Sequence, residues 1–178
     1  MFKSLIRTNS SVLSQEVIQH IYENLDKFDS QKYKWVNKSG AGYEKEICKL
    51  LNWKCVNGRH WDCETESDIK IELKKSKSNG IQVDEIRYAE EELEYNLDCL
   101  ENIITIFIEV YNNTTKKEGV RKIIIVRNEE IIKLLNLPID YCEILVKRNE
   151  QIGSGLSFTH RLKYSDLMKV SDAYITFD

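Results

Sequence analysis

The sequence predicts an α/β domain, a central mixed β-sheet flanked by helices, and three observations carry that expectation. Ile69, Ile71 and Leu73 alternate with Asp68, Lys70, Glu72 and Lys74, the period-two pattern of a strand with one face in a core. Residues 102–111 and 122–127 are almost continuously apolar, as central strands buried on both faces are. Residues 11–28 and 81–98 instead place apolar side chains at helical spacing, so helices are available to cover such a sheet.

Composition bounds the rest. At 178 residues, 42% hydrophobic and 31% charged, the chain is long enough for one domain with a full core and too apolar to be disordered. A net charge of −3 and a pI near 5.7 give no global basic signature of a nucleic-acid binder, although the local field in a cleft counts for more. There is no apolar run of about eighteen residues and no signal-peptide order at the N-terminus, which predicts a cytoplasmic protein with no membrane partner. The five cysteines, Cys48, Cys55, Cys63, Cys99 and Cys142, are odd in number and scattered, a pattern expected of reduced thiols. Cys55, His60 and Cys63 lack the fourth ligand of a zinc site.

In chain order, the first expected element is a helix over 11–28, with Leu13, Val17, Ile18, Ile21, Leu25 and Phe28 forming its stripe and Ser11 or Ser14 as N-cap. This N-terminal region, 1–38, packs its stripe on the core or on a second subunit. Ser39-Gly40-Ala41-Gly42 breaks the chain before a second helix, Tyr43 to Leu51, which opens the 40–127 core. On that helix Glu44 lies about 60° from the centre of the apolar face and Glu46 about 100° away, so Glu44 leans toward the sheet; a solvated glutamate favoured by the helix dipole is the alternative for it. Residues 53–56 and 59–64 read as strands around the Asn57-Gly58 turn, and 75–80 as a basic loop. Lys70, Lys74, Lys75 and Lys77 against Glu72 give residues 70–77 a net +3. The helix over 81–98 carries an acidic outer face from Asp84 and Glu85 through Glu90, Glu91, Glu92 and Glu94. Residues 112–119 form a loop between the two apolar strands. The 128–178 region begins with a helix capped by Asn128, running to Leu137 and stopped by Pro138, the only proline. Residues 141–146 read as a strand and 153–161 as a turn-rich loop. No dinucleotide fingerprint, P-loop, Ser-His-Asp order or internal repeat is present, and nothing points to an organic cofactor.

Glu72-x-Lys74 places an acid and a lysine on one face of a rigid strand. A chain with 29 acids in 178 residues yields roughly three acid-x-Lys pairs by chance, and Asp68-x-Lys70 is a competing match. The bland reading is an edge strand with a solvated charged face. The spacing upstream favours a site, because Asp62 precedes Glu72 by ten residues across the polar segment Cys63–Ser67. Pairing Asp62 with Glu72 in an antiparallel hairpin also pairs Glu64 with Lys70 and Glu66 with Asp68, centring the turn on Ser67. Asp62, Glu72 and Lys74 then share a face. Asp68, four residues along the same strand from Glu72, would lie about 13 Å away, too far to share one small cation with it.

These residues resemble the PD-(D/E)xK nuclease superfamily, whose signature is an acid at the end of one strand and an acid-x-Lys on the next. The likeness is greatest to small type II restriction endonucleases with a Glu-Leu-Lys motif, matched here by Asp62 and Glu72-Leu73-Lys74; Trp61 stands where the superfamily has proline. The resemblance covers about residues 40–111. It implies a restriction-endonuclease-like core and Mg²⁺-dependent cleavage of double-stranded DNA by a homodimer. Asp62, Glu72 and the Leu73 carbonyl would ligate Mg²⁺, and Lys74 would orient the attacking water. Glu44, in a Gly-x-x-aromatic-Glu setting, would be an added metal-site acid. DNA contacts are expected from Lys75, Ser76 and Lys77 in the basic loop, and from His160 and Arg161 in a late recognition loop. A repair, nicking or junction-resolving nuclease of the same superfamily would use the same residues, whereas a non-enzymatic interaction domain would need none of them.

Overall fold

The computed structural model describes residues 2–7, 11–28, 41–56, 60–77, 80–95, 102–110, 119–152 and 158–177. In chain order the strands are β1 (Phe2–Arg7), β2 (Lys54–Cys55), β3 (Cys63–Glu64), β4 (Lys70–Ser76), β5 (Gly80–Asp84), β6 (Ile103–Val110), β7 (Val120–Arg127), β8 (Thr159–Lys163) and β9 (Ala173–Phe177). The helices are α1 (Val12–Glu23), α2 (Ala41–Leu50), α3 (Glu85–Glu92), α4 (Asn128–Leu135), α5 (Ile139–Ile152) and α6 (Tyr164–Val170), with a 3₁₀ turn at Leu25–Phe28.

Among the described residues the main sheet has the order β1-β9-β7-β6-β4-β3-β2, and β5 pairs with β8 in a separate ribbon. The β4–β6 pairing is parallel and the others antiparallel, so the sheet is mixed. The expected α/β class with a central mixed sheet is therefore observed.

The sheet is covered on both faces. Ile69, Ile71 and Leu73 of the β4 segment join Ile104, Ile106 and Ile108 of β6 in a core against Val17, Ile18 and Ile21 of α1 and Ile47 of α2. On the opposite face Phe107, Ile124 and Val126 pack with Tyr88, Ile131, Leu135 and Leu167. Each fully buried Ile or Leu of this kind stabilises the fold by about 1.5–3 kcal/mol. Strand β4 lies inside the sheet between β3 and β6, not at an edge, and Glu72 on its second face is only 6% exposed.

Several expected elements differ. The chain folds as a strand, β1, before the first helix, and β1 pairs with β9 so that the two ends of the chain lie side by side. Residues 81–98 do not form one helix: Ile81 and Val83 alternate with exposed Gln82 and Asp84 in a strand. Asp84 Oδ1 then accepts from Ile86 N at 3.1 Å and starts α3. The expected acidic outer face is solvated only in part: Asp84, Glu92 and Glu94 are exposed, whereas Glu85 and Glu90 are buried. Tyr141 donates to Glu85, and Asn149 donates to Glu90.

Residues 141–146 are helical, within α5. A continuous apolar run cannot be told from a buried helix by periodicity alone; here Cys142, Leu145, Val146 and Asn149 are buried at helical spacing while Ile144 is 48% exposed. Asn128 begins α4 but makes no cap, because its buried amide accepts from Thr105 Oγ1 and donates to Glu91. The helix stops at Leu135, with Asn136 in the left-handed region at φ 47°. The end of the expected loop at 153–161 is strand β8.

Cys48 and Cys63 form a disulfide, with Cα atoms 6.0 Å apart, that ties α2 to β3; this corrects the expectation of reduced thiols for that pair. Cys55 and Cys142 are free. The Asn57-Gly58 turn, Cys99, the 112–118 loop and Gly153–Gly155 lie outside the described residues. No helix among those described is long and apolar enough to cross a membrane.

Candidate active site

The hairpin of β3 and β4 has the expected register where it forms a ladder, with Cys63 opposite Ile71 and Glu64 opposite Lys70. Thr65 N donates to Ile69 O, and Asp68, at φ 60°, closes the turn around Ser67. Extending that register brings Asp62 to Glu72, and the contacts agree with it. Asp62 N donates to Ile71 O at 2.8 Å, and Asp62 Oδ2 accepts from Leu73 N at 2.7 Å. The carboxylate is therefore fixed to the backbone of the strand that carries Glu72 and Lys74. Asp68 sits at the exposed turn, at the other end of the hairpin, with Lys54 as a charged neighbour.

Glu72 Oε1 is shared by two cations, pairing with Lys74 Nζ and with Arg87 Nη1, the latter at 3.1 Å. Arg87, in the first turn of α3, is 5% exposed, and its Nε and Nη2 find no hydrogen-bond partner among the described residues. Burial disfavours the Lys74 ammonium, yet the charge and hydrogen bond of Glu72 hold its pKa above the ordinary lysine value. Lys74 thus stays a cation. For Asp62, burial acts first and the neighbouring Glu72 and Glu44 act with it, pushing its pKa up to about 7 against the pull of Leu73 N–H and Lys74.

From the other side of the sheet, Tyr43 of α2 donates its hydroxyl to Leu73 O at 2.9 Å. Burial, then the carboxylates of Glu44, Asp62 and Glu72, raise the Tyr43 phenol well above its usual range, so it remains a donor. Glu44, half-buried in the first turn of α2, acts electrostatically on both Tyr43 and Asp62.

Lys74 borders two openings. One, a cavity of about 90 Å³, is also lined by His60, Glu72, Asp84, Arg87 and Tyr88. The other, a more open cleft of about 410 Å³, is lined by Tyr43, Lys75, Ser76, Gly80, Gln82 and Arg161 among others. Lys75 Nζ stands 4.6 Å over the Tyr43 ring and Ser76 Oγ donates to Gly80 O; Lys77, the next residue past β4, is exposed. His160 is not in this group: it pairs with Glu85 at 3.2 Å and does not line the cleft.

The structure thus brings together Asp62, Glu72, Leu73, Lys74 and Glu44, with Lys75, Ser76 and Arg161 along one adjoining cleft. Sequence reasoning missed Arg87, which was given no role within the expected helix over 81–98; being the lone cation in residues 84–94 was the available signal. It also missed the hydroxyl of Tyr43, the placing of Gln82, and His60, whose Nε2 lies 3.5 Å from Glu90.

No group of three or more His, Cys, Asp or Glu side chains among the described residues is disposed to hold a metal ion. A magnesium ion needs less, since it keeps several waters and takes one or two carboxylates together with substrate phosphate. The donor set fits such an ion: hard oxygens from Asp62 and Glu72, a carbonyl at Leu73 with a lone pair left beside its bond to Tyr43, and a carboxyl at Asp62 whose ionisation is opposed by its anionic neighbours. No protein-family model and no curated protein matches the chain.

Proposed function

We propose that the protein is a Mg²⁺-dependent endonuclease of PD-(D/E)xK type that hydrolyses phosphodiester bonds of double-stranded DNA, acting as a homodimer in the manner of a type II restriction endonuclease. The observation that carries the reading is that Asp62 is bonded to Leu73 N–H and Lys74 is paired with Glu72, so the three charged groups meet at one strand, and that Lys74 also borders an open cleft lined by Lys75 and Arg161. Acid-x-Lys pairs arise by chance. A half-buried acid bonded to the backbone N–H between the acid and the lysine does not follow from composition.

In this reading Asp62 and Glu72 hold the ion, with the Leu73 carbonyl as a further oxygen and Glu44 adding negative charge behind Asp62. When bound, Mg²⁺ supplies a polarised phosphate and a water of lowered pKa. Lys74, a cation at neutral pH, orients the attacking water and offsets charge that develops on the phosphate oxygens. Arg87 holds the Glu72 carboxylate in a fixed direction through its ion pair, and Tyr43 fixes the Leu73 carbonyl. Lys75 supplies positive charge for the DNA backbone, and with Arg161 it makes the cleft locally basic against the acidic balance of the chain. A two-fold pair of such sites cuts both strands of a palindrome, which is the reason for a dimer.

The test is incubation of the purified protein with supercoiled plasmid and Mg²⁺, with EDTA as control. Discrete linear fragments support the reading. Nicked circles alone would move it to a nicking or repair nuclease, and intact plasmid across a range of DNA sequences and divalent ions would overturn it.

A further inference from the structure

We propose that the β5–β8 ribbon reads base sequence, with Gln82 and Arg161 contacting purine edges of neighbouring base pairs in the major groove. This rests on the nuclease reading above and names the part of the DNA that the site would recognise.

The ribbon is separate from the main sheet and pairs over five residues, from Gly80 opposite Lys163 to Asp84 opposite Thr159. Its faces differ in character. Ile81, Val83 and Leu162 are buried in the core beside Phe107 and Tyr164, which fixes the ribbon to the body of the protein. Gln82 and Arg161 are exposed, lie directly opposite one another, and both line the cleft that Lys74 borders. The ribbon therefore presents two base-reading side chain types in the same opening as the proposed catalytic lysine.

The dimensions suit the groove. A two-stranded ribbon is one of the two elements that the major groove, about 12 Å wide, admits. Directly opposed side chains on antiparallel strands stand about 5 Å apart at Cβ, and base pairs stack about 3.4 Å apart, so the pair spans one step. Glutamine forms two hydrogen bonds with the N6/N7 edge of adenine, and arginine with the O6/N7 edge of guanine. Gly80 supports the arrangement: a Cβ there would stand 2.5 Å from the Leu162 carbonyl oxygen and 3.3 Å from Arg161 Nε. Its missing side chain lets the strands close and leaves room for Arg161 to lie across them.

The experiment is selection from a randomised duplex library, by binding in Ca²⁺ and by sequencing of cut ends in Mg²⁺, for the wild type, Gln82→Ala, Arg161→Ala and Arg161→Lys. Both positions are exposed, and melting curves check that each variant is folded. The wild type should enrich a site containing adjacent A·T and G·C pairs. Arg161→Ala and Arg161→Lys should each relax the guanine about tenfold or more, because lysine keeps the charge but not the two-pronged geometry. Gln82→Ala should relax the neighbouring adenine, with the other positions unchanged. Uniform weakening with the same motif would make Arg161 a phosphate contact and overturn the inference, as would a wild type that enriches no sequence. A motif altered by the variants in Ca²⁺, with no cleavage in Mg²⁺, would keep the inference and sink the hydrolysis reading. Cleavage at one fixed site by wild type and variants alike would do the reverse.

Discussion

Asp62→Asn should abolish cleavage and at the same time make the metal-free protein more stable at alkaline pH. In the folded chain Asp62 has its pKa raised from 3.8 to about 7, first by burial and then by Glu72 and Glu44. The folded state thus binds this proton more tightly than the unfolded state does. Stability from this group is full below pH 3.8 and is lost as pH rises toward 7, after which the whole cost of the buried anion is present. Roughly three pH units correspond to about 4 kcal/mol, which partial solvent contact reduces to about 2–4 kcal/mol. Asparagine carries no charge and its amide oxygen can still accept from Leu73 N–H. In EDTA at pH 8 the variant should therefore melt roughly 5–15 °C above wild type, for a chain of this size. At pH 5 the gap should shrink by more than half. Mg²⁺ should raise the wild-type melting temperature at pH 8 and leave the variant nearly unmoved. A variant no more stable than wild type at pH 8, or a gap independent of pH, would refute the account of Asp62.

Lys74→Ala should abolish cleavage while specific DNA binding in Ca²⁺ is nearly kept; activity within about tenfold of wild type, a barrier change of only about 1.4 kcal/mol, would remove Lys74 from the mechanism. Asp68→Asn should retain most of the activity, because Asp68 sits at the exposed turn away from Glu72, and loss comparable to that of Asp62→Asn in a plasmid assay would contradict the hairpin register. Glu72→Gln should destabilise the protein by about 3 kcal/mol in urea unfolding, since it strips buried Arg87 of its closest counter-ion; an unchanged midpoint would show that Arg87 does not depend on it. Reduction of the Cys48–Cys63 disulfide, which spans 15 residues, should cost about 3 kcal/mol, measured as a lower melting temperature in dithiothreitol.

The parts legible in the sequence were those set by short-range pattern. Alternation at Ile69, Ile71 and Leu73 marked β4, unbroken apolar runs marked β6 and β7, and the ten-residue spacing from Asp62 to Glu72 supplied the register later seen at Glu64 and Lys70. What escaped depended on distant partners. Strand β1 is defined by β9 at the far end of the chain, and no local signal in Phe2–Arg7 announces that pairing. The break between β5 and α3 hinges on one cap, Asp84, in a stretch whose acids suggested a continuous helix. Helix α5 was hidden by an apolar run that suits a strand equally well. Glu85 and Glu90 looked solvated because glutamates almost always are; their partners Tyr141, His160, Asn149 and His60 come from other parts of the chain.

The two acids of the candidate site are kept in opposite ways, and the difference bears on what the site is for. Glu72 is buried but shared by Lys74 and Arg87, so its charge is satisfied within the protein and its removal should cost stability. Asp62 is held by one backbone N–H, which fixes its position without neutralising it. A structural ion-pair network would satisfy both carboxylates alike. Holding one acid in place while leaving its charge opposed by Glu72 and Glu44 disfavours the carboxylate in the protein alone, a cost that a bound cation of the proposed kind would offset. That asymmetry is expected where a fold retains an unfavourable group for function, and it predicts that the two carboxylates respond with opposite signs to substitution by their own amides.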